Sequence, residues 1–155
     1  MTSTIRNLSG SCVRMVLLGA AVLCCGTGCK PRIDDTKIVW VDPAQAQAAM
    51  TQRQGAFGMG PTPDGVFLDP RTPARFAEGH IPGALNIPLS ELNDRFTTLR
   101  DYTVIVVYDT DYADELSKAT TKALMAKGFK NVRTLRGGLR AWERDGNKVD
   151  RGAAP

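Results

Sequence analysis

One uninterrupted run of mostly β-branched residues, Thr103 to Tyr108 (TVIVVY), constrains the fold of this 155-residue chain more than any other feature. A strand that is apolar at nearly every position, rather than at every second one, must be buried on both faces. Such strands lie in the centre of parallel sheets that are covered by helices on both sides. Further strand patterns, at residues 38–41, 66–69 and 131–135, alternate with helix patterns. The sequence therefore predicts an α/β fold, a three-layer sandwich with a mostly parallel sheet.

Local signals place helices between these strands. Asp42-Pro43, Thr72-Pro73 and Ser90 are predicted to start helices that end at about Arg53, Ala77 and Phe96, because such residues can accept hydrogen bonds from the first helical amides. A helix after residue 115 is predicted to end at Gly128 and to bury one stripe, Leu116, Thr120, Ala123 and Leu124. Gly137-Gly138 opens a last short helix, and the Gly/Pro-rich stretch 54–65 predicts a long loop.

All four cysteines lie within the first 29 residues, and residues 30–155 contain none. This distribution excludes a disulfide framework, a thiolate metal site and a cysteine nucleophile from the folded part. His80 is the only histidine, which also excludes a histidine-based metal site or a Cys–His pair. We therefore expect no cofactor and no metal centre built on these side chains.

The first 29 residues have the pattern of a secretory signal. Arg6 and Arg14 precede the apolar run Met15 to Cys25, which is shorter than the roughly 20 residues of a membrane-spanning helix. Gly28-Cys29 resembles the end of a bacterial lipoprotein signal, in which a small residue precedes the cysteine that is acylated. Gly26, three residues before Cys29, departs from this pattern, because an aliphatic residue is usual at that position. The resemblance implies a signal peptide at 1–28, a lipid anchor on Cys29 with a linker at 29–36, and a location in the bacterial cell envelope, facing the periplasm.

The charge balance gives no reason to expect nucleic-acid binding. The formal net charge is +4, and the first 28 residues contribute two arginines and no acid to it. A domain with so small an excess lacks the basic surface that a nucleic-acid partner requires. The expected partners are therefore an unidentified protein or small ligand, together with the membrane that holds the anchor.

Four segments, in their order and spacing, resemble the rhodanese homology domain. They are Phe67–Arg71 (FLDPR), Phe76–Pro88 (FAEGHIPGALNIP), the strand Thr103–Tyr108, and Arg136–Trp142 (RGGLRAW). The resemblance implies a five-stranded, mostly parallel sheet flanked by helices, with the folded domain at 37–150. It also implies an active loop directly after the strand that ends at Tyr108, at the edge where open α/β sheets place ligands.

In active rhodanese-like sulfurtransferases this loop begins with a cysteine that carries a persulfide. The loop here consists of Asp109, Thr110, Asp111, Tyr112, Ala113, Asp114 and Glu115. Asp109 thus stands at the usual cysteine position, and a carboxylate cannot hold a transferable sulfur. Four acids in seven residues are also expected to repel an anionic sulfur donor. We therefore expect a catalytically inactive, membrane-tethered binding or scaffolding module.

The acidic loop leaves other interpretations open. Its carboxylates could simply cap the following helix, or they could bind a divalent cation or a basic patch on a partner. The segment VIVVYDTD also superficially resembles the nucleophile strand of haloacid-dehalogenase-type phosphatases, which would make Asp109 the nucleophile of a Mg²⁺-dependent reaction. Tyr112 and Ala113 depart from that family's pattern.

Residues near the loop are expected to have structural roles. Asp69 and Arg71 flank Pro70 at the end of a strand, so an ion pair that fixes this turn is expected. His80 lies in the Gly79–Gly83 turn, and the resemblance implies a structural role for it too. Three lysines at near-helical spacing, Lys118, Lys122 and Lys127, favour either a solvated face or a surface for anionic lipids.

Overall fold

Five strands form one sheet in the order β1-β5-β4-β2-β3. They are β1 (Val39–Val41), β2 (Gly65–Asp69), β3 (Leu85–Asn86), β4 (Val104–Val107) and β5 (Val132–Leu135). All four pairings between them are parallel. The predicted α/β sandwich is confirmed.

The computed structural model describes residues 33–51, 64–113 and 115–153, which all belong to one compact unit, residues 32–155. The segment that contains the predicted signal and Cys29, most of the predicted 54–65 loop, and Asp114 lie outside the described residues. Within the described part of the chain, no helix is both long enough and apolar enough to cross a membrane.

In the described residues, four α-helices lie between strands, a fifth follows the last strand, and together they cover both faces of the sheet. They are α1 (Pro43–Thr51), α2 (Pro73–Glu78), α3 (Leu92–Arg95), α4 (Glu115–Ala126) and α5 (Gly138–Arg144). Helices α1, α2 and α5 contribute buried residues to one hydrophobic core, and α3 and α4 contribute to the other. The carboxyl ends of β2, β4 and β5 therefore meet at one edge, from which the chain enters α2, α4 and α5.

Strand β4 lies in the centre and is buried on both faces, as its sequence predicts. Val104 and Val106 pack into the core that contains α5, whereas Ile105 and Val107 pack into the core that contains α4. Successive side chains of a strand point to opposite faces, so an apolar residue at every position fills both cores. This central placement fixes the position of the loop that follows Tyr108.

The helix starts agree with the sequence signals at two places and differ at a third. The Asp42 carboxylate accepts a hydrogen bond from the Gln45 amide at 2.8 Å, and the Gln45 side chain accepts one from the Asp42 amide, which is a reciprocal capping arrangement. Thr72 caps α2. The helix predicted after Ser90 is present as α3, but the capping role is wrong: Ser90 lies inside a 3₁₀ turn, Leu89–Glu91, and the residue at the start of α3 is Glu91.

The buried face of α4 also differs from the predicted stripe. Its buried residues are Ser117, Thr120, Thr121 and Leu124, so Leu116 and Ala123 are only half-buried. The hydroxyl groups are satisfied locally, because Thr121 Oγ1 lies 2.8 Å from Thr134 Oγ1 of β5 and Thr120 donates to the Leu116 carbonyl. Pattern reasoning assigned the core face by hydrophobicity, but paired hydroxyls occupy it here.

The lysines predicted to form a solvated face have partners. Lys118 pairs with Glu115, and Lys122 pairs with Asp35 at 2.6 Å. Lys127 follows α4 and lies 4.1 Å from the centre of the Phe96 ring. These contacts leave less free positive charge on this face than the sequence spacing indicates.

Candidate functional site

Strand β4 is followed by Tyr108 and then by Asp109. The Asp109 carboxylate accepts hydrogen bonds from two backbone amides. Oδ1 accepts from the Thr110 amide at 2.7 Å, and Oδ2 accepts from the Leu116 amide at 3.0 Å. Leu116 is the second residue of α4, whose first amides lack partners within the helix. Asp109 therefore caps α4 from the other end of the loop, as one of the sequence hypotheses requires.

The loop backbone is fixed on its other side by the start of α5. The carbonyls of Asp109 and Thr110 accept hydrogen bonds from the Leu139 and Arg140 amides at 2.8 and 3.0 Å. Gly138 permits this approach, because a Cβ atom there would overlap the Asp109 carbonyl oxygen. The second glycine of the Gly137-Gly138 pair thus has a physical reason to lack a side chain.

The other described loop residues bond within the loop or to its neighbours. Asp111 accepts a hydrogen bond from the Ala113 amide, and its second oxygen lies 3.7 Å from Arg140. Tyr112 is 56% exposed, and its hydroxyl accepts a hydrogen bond from Arg144, which raises the pKa of that arginine. The described acids of the loop therefore face backbone amides or arginines rather than one another.

Behind the loop, Asp69 and Arg71 form the ion pair that the sequence predicts. Asp69 is fully buried and Arg71 is 6% exposed, and Arg71 Nη2 lies 2.6 Å from Asp69 Oδ2. Arg71 Nε bonds to the same carboxylate, and Nη2 also donates to the Gly79 carbonyl at 2.8 Å. A bidentate pair with this third bond satisfies the buried charges and fixes the turn after β2.

Tyr108 completes this buried group. Burial raises the pKa of its hydroxyl above the ordinary value, as do the charge of Asp69 and a hydrogen bond to it, although the Ile81 amide and Arg71 act in the opposite direction. For Arg71, burial acts to lower the pKa, but Asp69 and Tyr108 together raise it. The guanidinium carbon lies 5.7 Å from the centre of the Tyr108 ring.

His80 is buried and joins the C-terminal segment to α2. Its ring stacks on Phe76 at 3.7 Å between centroids, and Nδ1 lies 3.0 Å from the Phe76 carbonyl. A carbonyl only accepts, so Nδ1 carries the hydrogen. The His80 backbone also exchanges two hydrogen bonds with Asp150, which places the His80 ring and backbone in packing contacts away from Asp109.

A cleft of about 200 Å³ opens beside the loop, and both basic and acidic side chains line it. Its lining residues are Arg71, Arg75, Glu78, Gly79, Thr110, Leu139, Arg140 and Glu143. Three arginines from outside the loop therefore line this cleft, although the loop itself contains no basic residue. Sequence reasoning missed Arg75 and Arg140. They lie in α2 and α5, the helices that follow strands β2 and β5. Because parallel strands end at the same edge of a sheet, the predicted topology could have indicated that these helices begin beside the loop.

The cation hypothesis finds no cluster to support it in the described part of the chain, where no group of three or more His, Cys, Asp or Glu side chains converges as a metal site. Both oxygens of Asp109 already accept amide hydrogens. Because Asp114 lies outside the described residues, binding of Ca²⁺ or Mg²⁺ by the loop stays a prediction, and so does Mg²⁺-dependent phosphatase chemistry at Asp109.

Comparison with known proteins matches this fold to one family. The model of the rhodanese-like domain matches residues 35–145. A sulfurtransferase from Allochromatium vinosum is 36% identical over 85 residues, which are 55% of this chain and 78% of its own.

Two solved structures share the fold over most of the described chain. The rhodanese-like domain of the Alr3790 protein from Anabaena sp. has a TM-score of 0.57 and 27% identity, and the match covers 72% of this chain and 78% of that one. A thiosulfate sulfurtransferase from Pseudomonas aeruginosa has a TM-score of 0.60 and 25% identity over 74% of this chain, but only 20% of its own. The chain belongs to the rhodanese-like domain family and is related to sulfurtransferases.

Proposed function

We propose that this protein is a catalytically inactive rhodanese-like domain that acts as a binding or scaffolding module. One observation carries the proposal: at the position where the family resemblance puts the nucleophile, the Asp109 carboxylate accepts the Thr110 and Leu116 amides. A carboxylate that is bonded in this way stabilises a helix start and offers no sulfur for transfer.

The same hydrogen bonds weigh against an anionic sulfur donor. Backbone amides at the start of a helix can bind an anion. Here, however, the Thr110 and Leu116 amides already donate to the carboxylate of Asp109. An incoming anion would have to displace that carboxylate and approach its charge at close range. Loss of the cysteine and occupation of these amides therefore oppose sulfur transfer independently.

The binding role rests on the cleft beside the loop. Arg75 and Arg140 supply positive charge there, and Glu78 and Glu143 supply negative charge. Arg75 and Glu78 pair with each other at the surface at 3.0 Å, where such a pair is weak and readily rearranged. A mixed, rearrangeable rim of this kind suits a polar small ligand or a loop of a partner protein.

The test is a cyanide-dependent thiocyanate assay on the full chain, with thiosulfate as sulfur donor. We expect no turnover above that of the Asp109→Asn variant, because neither side chain can accept sulfur. Turnover by the unaltered chain, with a persulfide located by mass spectrometry on any residue after position 29, would overturn the proposal.

We further propose that the protein is exported and held to a bacterial membrane by acylation of Cys29, facing the periplasm. The support is the apolar run that ends in Gly28-Cys29 behind two arginines. Labelling cells with a fatty-acid analogue tests this proposal: we expect label on the full chain and none on Cys29→Ala. Equal labelling of both, or of neither, contradicts lipidation at Cys29.

A further inference from the structure

A second cavity, of about 390 Å³, also has a loop residue, Tyr112, in its lining. It is lined by Trp40, Tyr112, Lys118 and Arg136, and it shares no lining residue with the cleft. We call it the aromatic–basic cavity. Two aromatic rings and two cations are an uncommon lining, because most small-molecule cavities combine a larger apolar area with few charges.

The parallel register explains how two of these side chains meet. Trp40 of β1 lies beside Thr134 of β5, and Arg136 follows two residues later. Residues two apart point to the same face of a strand, so Trp40, Thr134 and Arg136 share one face. The guanidinium carbon of Arg136 accordingly lies 5.3 Å from the centre of the Trp40 ring, and the Arg136 amide donates to the Val41 carbonyl at 2.8 Å.

Helix α4 brings the second cation to the same face. Thr134 contacts Thr121 of α4 through their hydroxyl groups, which identifies this face as the one that α4 covers. Lys118 lies three residues before Thr121, on the side of α4 that faces the same strand. The cavity therefore lies between the first turn of α4 and the carboxyl ends of β1 and β5, where α/β sheets bind ligands.

The charges of the cavity favour an anion. Arg136 forms no ion pair with any residue in the described ranges, and its guanidinium carbon lies over the Trp40 ring, a contact that does not neutralise its charge. Lys118 pairs with Glu115, whose side chain is 82% exposed. Two basic side chains, Arg136 and Lys118, thus line the cavity.

We propose that the aromatic–basic cavity binds a small anion that carries a planar aromatic ring. The anionic group would bond to Arg136 and lie near Lys118, and the ring would pack against Trp40 or Tyr112. A volume of about 390 Å³ is within the range of small-molecule sites. This site does not depend on whether the loop transfers sulfur, so it stands or falls separately from the proposed function.

Tryptophan fluorescence of the full chain provides a direct test. The protein has two tryptophans, and Trp142 is 5% exposed, so a ligand-dependent change reports on Trp40. The probes are benzoate and adenosine 5′-monophosphate, which join an aromatic ring to a carboxylate or to a phosphate. Benzyl alcohol and inorganic phosphate each carry one half of that chemistry.

We expect saturable binding of benzoate or of adenosine 5′-monophosphate, and the one that binds identifies the anionic group. Either half-ligand should bind at least about tenfold more weakly. Arg136→Gln should weaken binding by about tenfold or more, whereas Arg100→Gln should leave it unchanged. Arg100 is the matched control because it too lies over an aromatic ring, 5.4 Å from the centre of Phe96, but it does not line this cavity.

Three outcomes would overturn the proposal. One is the absence of saturation by both aromatic anions at millimolar concentration. Another is equal binding by the Arg136→Gln variant, and a third is binding of inorganic phosphate as tight as that of either probe. Thiocyanate formation is measured separately, so a failure here is distinguishable from a failure of the proposed inactivity.

Discussion

The residues behind the loop and the loop itself use charge in opposite ways. The buried frame, which consists of Asp69, Arg71, His80 and Tyr108, holds its charges out of water in paired hydrogen bonds. The loop at 109–113 is half-buried to exposed, and its two acids bond to backbone amides. The difference separates a buried frame, which fixes where the loop begins, from an exposed loop whose carboxylates bond to backbone amides.

This comparison predicts that the frame contributes far more to stability than the loop does. The largest effect is expected for Arg71→Leu, because it leaves the fully buried Asp69 carboxylate without its partner. Breaking one side of a buried ion pair costs about 3–5 kcal/mol. Arg75→Leu is the matched control: its pair with Glu78 is exposed on both sides, so we expect a loss of less than about 1 kcal/mol. Urea denaturation measures both, and similar losses would contradict the comparison.

The contact between the loop and α5 is expected to rank second. Gly138→Ala would place a Cβ against the Asp109 carbonyl oxygen, and we expect a loss of about 2–4 kcal/mol from this overlap and from a positive φ. Gly146→Ala is the control, since its φ is +80° and no atom lies within 4 Å of the added Cβ. We expect about 1–2 kcal/mol there. Equal losses in thermal or urea unfolding would show that the close approach is unimportant.

The buried frame should also make stability depend on pH through Tyr108. Burial raises the pKa of Tyr108, so the folded protein retains the phenol proton above pH 10, whereas the unfolded chain releases it. The stability due to this group is therefore fully present below about pH 10, and it falls by up to about 1.4 kcal/mol per pH unit above that.

Absorbance at 295 nm tests this directly. Of the three tyrosines, we expect Tyr108 to ionise only on unfolding, because burial raises its pKa. In Tyr108→Phe the delayed ionisation should disappear, and the free energy of unfolding should fall less steeply with pH. Ionisation of Tyr108 near pH 10 in the folded protein would contradict its buried position.

The smallest effects are expected in the loop. Asp109→Ala removes the acceptor for the Thr110 and Leu116 amides, and loss of a helix cap costs about 1 kcal/mol. Asp111→Ala removes a bond within an exposed turn, for which we expect about 0.5 kcal/mol or less. If Asp109→Ala instead stabilises the protein, the carboxylate is kept for a purpose other than capping.

The sequence was sufficient where one local cause dominates. The run Thr103–Tyr108 could only be a central strand, and Asp42 and Thr72 cap helices because each precedes a proline that starts one. The ion pair of Asp69 and Arg71 was predictable because the two residues flank a rigid Pro70. The family resemblance, carried by four separated segments, placed Asp109 at the start of the loop.

Where several parts of the chain meet, the sequence pattern was not sufficient. The inward face of α4 was assigned by hydrophobicity, yet Thr121 is buried because Thr134 on β5 supplies a hydroxyl partner. Ser90 had a capping side chain but no regular helix directly after it. Arg75, Arg140 and Arg136 face the loop or the cavities beside it only because parallel strands bring distant segments to one edge.

Asp109 connects the two helical layers of the domain. Its side chain bonds to the start of α4, and its carbonyl bonds to the start of α5, although these helices pack on opposite faces of the sheet. A single residue therefore links, through hydrogen bonds, two helical layers that the sheet otherwise separates. A molecule that displaced this residue would therefore break one hydrogen bond at the start of each helix, so the two layers meet their common limit at one point of the chain.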